Sequence, residues 1–387
     1  MAKLKRLAMG LLVVGFAVLG VRACQLPNPL RPDVAETEGE TSTSESGLTL
    51  RDVTLEQPDD NGELLWKVKG EEVTYSPDRQ VAFVKAPDGE LYQDGELIYT
   101  VQGDTGEIRD NGKVIFLRGN IVATGIESQA VLKGNELEWR PEEDRLIISQ
   151  GIRGSHPQIQ AQAQRAEVFN REKRILLEGD VVATTVNEET EDDSRLKLQA
   201  QRLQWFWQEE RLESDQPLLV EQFEGSQVTN SISGDQGQFN LASMEATLEK
   251  NVAMQLPEFP LQGNSEKATW QVEQQQVQVD QPLRLIQSEE EIVVTAQSGR
   301  IDLAAEQVYL FGDVVAKGQQ RQTQLASDRL TWDLNQDTLT AEGNVTYQQV
   351  DPQFRLRGAK AVAQIQNQNI IVQGGPVVTE IVPNAPR

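Results

Sequence analysis

Along most of the chain, apolar and polar positions alternate in short runs broken by polar clusters. Arg329-Leu-Thr-Trp-Asp-Leu334 and Leu339-Thr-Ala-Glu-Gly-Asn-Val-Thr-Tyr347 are two such runs, separated by Asn335, Gln336 and Asp337. A period of two predicts half-buried strands, and the polar clusters predict hairpin turns. After residue 47 no stretch carries a convincing 3.6-residue apolar period, so the body is predicted to be all-β.

The pattern repeats at intervals of about thirty residues, with starts at Gly103, Gly134, Ala163, Ala200, Gly234, Asn264, Ala296, Ala326 and Gly358, and a weaker one at Gly70. One longer step is explained by an acidic insertion, Asn187 to Ser194, which reads as a solvated loop. A unit of this size cannot bury its apolar face alone, so the copies must stack.

Within each repeat the second run has an internal order. Ile115, Leu117, Gly119, Ile121 and Ala123 match Ile175, Leu177, Gly179, Val181 and Ala183, and match again Val308, Leu310, Gly312, Val314 and Ala316. Side chains alternate across a strand, so each set shares one face. That face should point inward. It takes in Leu146, Ile148, Ile152, Leu248, Val252, Met254, Leu339 and Val345, while Arg118, Asn120, Glu178, Asp180, Asp313 and Lys317 lie opposite. The mid-strand glycine, followed by Asn or Asp, marks either a bend in the sheet or a gap left for a ligand chain. Asp215-Gln-Pro217 and Asp280-Gln-Pro282 replace it in two copies, and proline predicts local loss of pairing there.

The N-terminus departs from this pattern. Met1 to Arg6 is basic, and Leu7 to Val21 is free of charge. Leu7, Leu11, Leu12, Val13, Val14, Phe16, Val18 and Leu19 would form an N-terminal transmembrane helix or signal anchor, with the body outside the cytoplasm. Cys24 is the single cysteine, so no internal disulfide forms; Val21-Arg-Ala-Cys24 resembles a lipobox, with Arg22 out of pattern. An uncleaved single-pass anchor, a lipoprotein lipidated at Cys24 and a cleaved signal all stay open. The expected divisions are 1–24 for this segment, 25–47 for a Pro-rich and acidic disordered linker, 48–380 for the β body and 381–387 for a tail.

Charge and residue inventory exclude more than they suggest. The net charge of −24 leaves no basic stripe for nucleic acid. His156 is the single histidine and is expected at the surface, so a His-rich metal site is impossible; no cofactor or catalytic motif is evident. No carboxylate pair is singled out for glycosidase chemistry. Trp139, Trp270 and Trp332 occupy equivalent places in their repeats, as a packed rung or as the lining of an acyl groove.

The Gly-Asp-Val and Gly-Asn-Val strands resemble the OstA-like domains of lipopolysaccharide transport. Leu48-Thr-Leu-Arg-Asp-Val-Thr-Leu55, Leu64-Leu-Trp-Lys-Val-Lys-Gly70 and Val73-Thr-Tyr75 are similar to the opening of LptC domains. The chain looks like the long, cyanobacterial type of LptC, with a body about twice the usual length. The resemblance implies an extended β-jellyroll, two antiparallel sheets in a V with an apolar slot between them. It implies a membrane-anchored periplasmic component, not an enzyme, in the inner membrane. Such a protein accepts lipopolysaccharide from an ABC transporter (LptBFG-like) near Leu48 to Leu55. It passes the lipid to an LptA-like or outer-membrane LptD-like jellyroll near Ala359 to Val378, where Asn367 to Val372 reads as an exposed end strand. The inward residues above would line the slot. The expectation is an apolar trough open along its length, with few direct phosphate contacts. An LptA-like bridge protein, a structural β-repeat stalk and a carbohydrate-active β-helix are the alternatives.

Overall fold

A computed structural model describes residues 48–59, 61–186, 194–319, 322–350, 353–365, 369–373 and 378–381. The anchor residues Leu7 to Leu19, Cys24, the linker, residues 187–193 of the acidic insertion and residues 382–387 of the tail lie outside the described residues. Among the described residues no helix is long and apolar enough to cross a membrane. The chain there forms 28 strands and two short 3-10 turns, Asp110–Gly112 and Pro141–Glu143. All strands join one antiparallel sheet, so the expected all-β, antiparallel architecture is what the body adopts.

The expected two layers arise from one sheet creased along its middle. Val114–Gly125 pairs through Val114 to Arg118 with Thr105–Arg109, and through Val122 to Gly125 with Glu96–Gln102. Each chain pass therefore starts in one arm and ends in the other. A pass is either one long strand with a register shift, as in Arg174–Thr185 and Thr338–Gln349, or two shorter strands in succession. The proline passes are of the second kind: Arg211–Ser214 is followed by Leu218–Glu224, and Gln276–Val279 by Leu283–Gln287. Pairing is continuous across the acidic insertion, from Arg174–Thr185 to Ser194–Phe206.

The crease explains the mid-strand glycines. Gly119 and Asn120 have φ of 77° and 46°, Gly179 and Asp180 81° and 47°, Gly312 and Asp313 76° and 47°, and Gly343 and Asn344 81° and 46°. Two consecutive left-handed residues turn the strand sharply. Glycine tolerates that conformation freely, and Asn and Asp tolerate it better than other residues. Of the two readings the sequence left open, these glycines therefore make the bend. The side chains then lock it. Asn120 Nδ2 donates to Asp104 Oδ2 at 2.8 Å, Asn251 Nδ2 to Asp235 Oδ2 at 2.6 Å, and Asn344 Nδ2 to Asp328 Oδ2 at 2.9 Å, each pair sixteen residues apart. The repeat starts, Gly103 and Gly134 among them, sit on this same crease.

The inner faces of both arms merge into one apolar cluster that extends from Trp66 to Ile365. The outer face is mixed. Three of its aromatic residues lie under cations: Arg118 is 4.4 Å from the Phe116 ring centre, Arg174 4.2 Å from Phe169 and Arg211 4.3 Å from Phe206.

The crease gives a discriminating prediction. A Cβ at Gly119 would lie 2.3 Å from Asp104 Oδ2, whereas one at Gly151, also left-handed at φ 81°, meets nothing within 4 Å. Gly151→Ala should cost about 1–2 kcal/mol from conformation alone. Gly119→Ala should cost roughly 1 kcal/mol more, because Asp104 must leave Asn120. Urea unfolding of the two variants checks the difference.

Candidate functional site

The candidate site is the interior between the arms. Ile115, Leu117, Ile121, Leu146, Ile148, Ile152, Ile175, Leu177, Val181, Leu248, Val252, Met254, Val308, Leu310, Val314, Leu339 and Val345 all sit in the single apolar cluster, none more than 6% exposed. Their shared face is therefore inward, as alternation requires. Arg118, Asn120, Asp180, Asp313 and Lys317 are exposed on the other side, and Glu178 is half-buried.

One rung of this interior runs the length of the arm that holds the tryptophans. Reading across the ladder, Trp139 lies between Ile115 and Leu146, Trp205 between Ile175 and Leu212, Trp270 between Ala246 and Val277, and Trp332 between Val308 and Leu339. A tryptophan thus returns at every second hairpin. The passes between carry Val168, Phe239, Ile301 and finally Ala363 at the same rung. The indole N–H groups of Trp139, Trp205, Trp270 and Trp332 are buried without an acceptor. Trp66, on the other arm, donates to the Gly112 carbonyl at 2.7 Å.

That bond belongs to a series that joins the two lips of the fold, where the hairpin turns of the arms meet. Gln93 on one lip donates to Asp144 Oδ1 on the other at 2.5 Å and accepts from Asn170 Nδ2 at 2.6 Å, while the Arg171 backbone N–H donates to Asp144 Oδ2 at 2.7 Å. Glu127 pairs with Lys173 and accepts from Gln208 Nε2 at 2.7 Å. Gln158 Nε2 reaches Glu210 Oε1 at 3.2 Å, and the His156 ring meets Trp205 edge-on at 4.7 Å. Burial raises the Asp144 carboxyl above its ordinary range, an effect opposed by the Arg171 N–H and the Gln93 amide. Lys173 holds the Glu127 carboxyl below its ordinary range.

Two expectations need correction. The trough is not open along its length: side chains fill it, and the lip contacts just described close it from Trp66 to Glu210. It opens instead near the C-terminal end, in an apolar cavity of about 110 Å³ bounded by Ile292, Leu325, Leu339, Tyr347, Ala363 and Ile370. The cavity lies where the rung passes from Trp332 to the small Ala363. The second correction concerns His156, which is half-buried against Trp205 and not a free surface group. The lip residues escaped sequence reading because polar turn residues look solvated until a second turn faces them.

Among the described residues, both ends of the sheet present an edge without a further strand. Among the described residues Thr49–Pro58 pairs only with Leu64–Tyr75, and Asn369–Gln373 only with Phe354–Gln364. Ile371 is 63% exposed on Asn369–Gln373; Asn367 and Gln368 lie outside the described residues.

The family profile described as "Lipopolysaccharide-assembly, LptC-related" matches residues 11–146, 145–256 and 262–375. The chain belongs to this family. The matches lie in tandem, and the first begins inside the N-terminal apolar run. No curated protein matches the chain. Among solved structures it is similar to LptH of Pseudomonas aeruginosa, described as the LptA homologous periplasmic component of the lipopolysaccharide transport device. That likeness has 8% identity and a TM-score of 0.29, over 33% of this chain and 94% of that one.

Two measurements test the geometry of this LptC-related interior. Trp66→Phe removes the donor to Gly112 and leaves a buried carbonyl unpaired, whereas Trp139→Phe removes a donor that has no acceptor. Trp66→Phe should therefore be the costlier by about 1–3 kcal/mol in chemical denaturation. The second concerns pH. Burial lowers the His156 pKa below its ordinary 6.5, against the opposing charge of Glu210. The unfolded chain then takes up a proton that the folded chain resists. The His156 contribution is complete above pH 6.5 and declines as pH falls from there toward the lower folded value. Subtracting the stability–pH profile of His156→Gln from that of the unaltered chain should isolate this acid limb; a flat difference would contradict it.

Proposed function

We propose that this chain is a conduit in lipopolysaccharide export, anchored by its N-terminal apolar segment with the β body in the periplasm. It accepts the lipid from an inner-membrane ABC transporter at the Thr49–Pro58 edge and delivers it to a further jellyroll at the Asn369–Gln373 edge. The observation that carries this reading is the unbroken inward apolar face from Trp66 to Ile365, with a cavity at its C-terminal end. The start of the family match at residue 11 supports the anchor. Lipidation at Cys24 would give the same tether by another route.

The physics favours an apolar interior over a chemical one. Keeping a chain of about twelve carbons out of water saves roughly 10 kcal/mol at ~0.8 kcal/mol per CH₂. Acyl chains entering between the arms exchange one apolar contact for another, so the transfer itself costs little. The barrier lies in parting the lips, whose individual hydrogen bonds contribute about 1 kcal/mol each. No step calls for an acid, a base or a metal.

A second reading, a structural stalk, is favoured by the filled interior of the N-terminal half. Photo-crosslinking separates the two. Crosslinkers at inward Leu177, Val314 and Leu325 should yield lipopolysaccharide adducts, and those at outward Asp180 and Asp313 should not. Equal labelling of both faces, or no adduct at Leu325, would favour the stalk.

A further inference from the structure

Trp139, Trp205, Trp270 and Trp332 are at most 6% exposed, and the indole N–H of each has no acceptor among the described residues. A fifth such indole, Trp207, lies in the turn after Ser194–Phe206. We propose that Trp332 donates to the carbonyl oxygen of an acyl ester or amide whose chain enters the neighbouring cavity, and that the three equivalent strand indoles repeat this contact along the interior. The inference deepens the conduit reading and rests on it. What it adds is a preference for acyl-linked over ether-linked chains, set by these indoles.

Position supports the assignment. Each of the four is the penultimate residue of its strand, in Val131–Arg140, Ser194–Phe206, Leu261–Gln271 and Thr323–Asp333, so it takes the inward place nearest the lip. An amphiphile between the arms keeps its chains inside and its head outside, so the carbonyls that join the two lie at this height. Trp66, on the facing arm, already makes such a bond, to the Gly112 carbonyl across the lips. Trp332 pairs with Leu339, which lines the cavity, and Leu339 with Ala363 on its far side.

The chemistry agrees. An indole N–H only donates and an acyl carbonyl only accepts, so neither brings a second requirement. Between Trp139 and Trp332 the rung is otherwise aliphatic apart from Phe239, a ring that buries no donor. A benzene ring thus fits this rung without the cost of an unpaired N–H. The indole recurs all the same, and each return is four strands from the last, about 19 Å at the usual strand spacing.

The test uses the full chain, with isotope-labelled tryptophan, in nanodiscs of ether-linked phosphatidylcholine, which carries no acyl carbonyl. The probes are monooctanoylglycerol and its ether analogue monooctylglycerol, which differ in the carbonyl, each below its micelle threshold. Entry is read by protection of Leu325→Cys from maleimide in a Cys24→Ser background, and both probes should protect. In nuclear magnetic resonance spectra the Trp332 indole proton should move downfield with monooctanoylglycerol and not with monooctylglycerol. Trp270, beyond the lip bonds, should follow it, and Trp66, already bonded to Gly112, should move with neither. Trp332→Phe should raise the monooctanoylglycerol concentration for half-protection about fivefold, the worth of one neutral hydrogen bond, and leave monooctylglycerol unmoved; the remaining indole signals report that this variant folds. In Gln93→Ala/Gln158→Ala, whose lips are joined by fewer bonds, Trp139 and Trp205 should respond to monooctanoylglycerol as well. If both probes protect but the Trp332 proton does not distinguish them, or Trp332→Phe shifts both alike or neither, the carbonyl contact is wrong and the conduit stands. If Trp139, Trp205 and Trp270 stay silent in the lip variant, the repeated contact is wrong. If neither probe protects, the conduit reading fails and the indole contact with it.

Discussion

Two consecutive left-handed residues in mid-strand determine most of what this protein is. A broad antiparallel sheet without them would twist as one layer and leave one face to water. The Gly-Asn and Gly-Asp pairs turn alternate passes sharply at the same height, so the sheet folds onto itself and the alternating apolar positions meet. The asparagine then donates to an aspartate on the previous pass, as Asn120 does to Asp104, which ties neighbouring creases together. The proline passes reach the same end by interrupting the ladder: Pro217 and Pro282 stand in the gaps between strands, where a missing N–H costs no pairing.

Once the crease exists, the interior and the lips divide the work. The interior is aliphatic with a recurring indole, and it supplies cohesion. The lips are polar, and the Gln93, Asp144 and Asn170 cluster supplies local closure through bonds that are individually small. Such closure can open locally while the crease holds, because the two depend on different contacts. The single rung from Trp332 through Leu339 to Ala363 shows how side-chain volume alone positions an opening. A bulky residue at 363 would continue the packed rung; alanine leaves space.

The strand pattern, the inward face and the crease positions were legible because each is local: alternation and the Gly-Asn pair are read within ten residues. The closure was not. Gln93 meets Asp144 across 51 residues and Asn170 across 77, at separations with no period in common with the repeat. Asp144 and Asn170 read as ordinary turn residues, yet they are 7% and 6% exposed. His156 was misjudged for the same reason, since Trp205 comes to it from the opposite lip. The open trough was expected from the family's likeness and from apolar content, neither of which measures how completely side chains fill a space.

The three tandem family matches explain how such a body lengthens without new architecture. Their joints fall at hairpin turns: 145–146 opens Arg145–Ser155 just after the turn that follows Val131–Arg140, and the break at 257–261 spans the turn after Glu245–Leu256 and the first residue of Leu261–Gln271. Pairing runs across both joints, from Val131–Arg140 to Arg145–Ser155 and from Glu245–Leu256 to Leu261–Gln271. Each unit ends on an unpaired strand edge, and the next unit begins with the strand that satisfies it. Addition of a unit therefore extends the sheet, the crease and the buried face together. The length of the interior is set by the number of units, and among the described residues the edge at Asn369–Gln373 presents the same kind of hydrogen-bonding groups that each earlier unit offered to its successor.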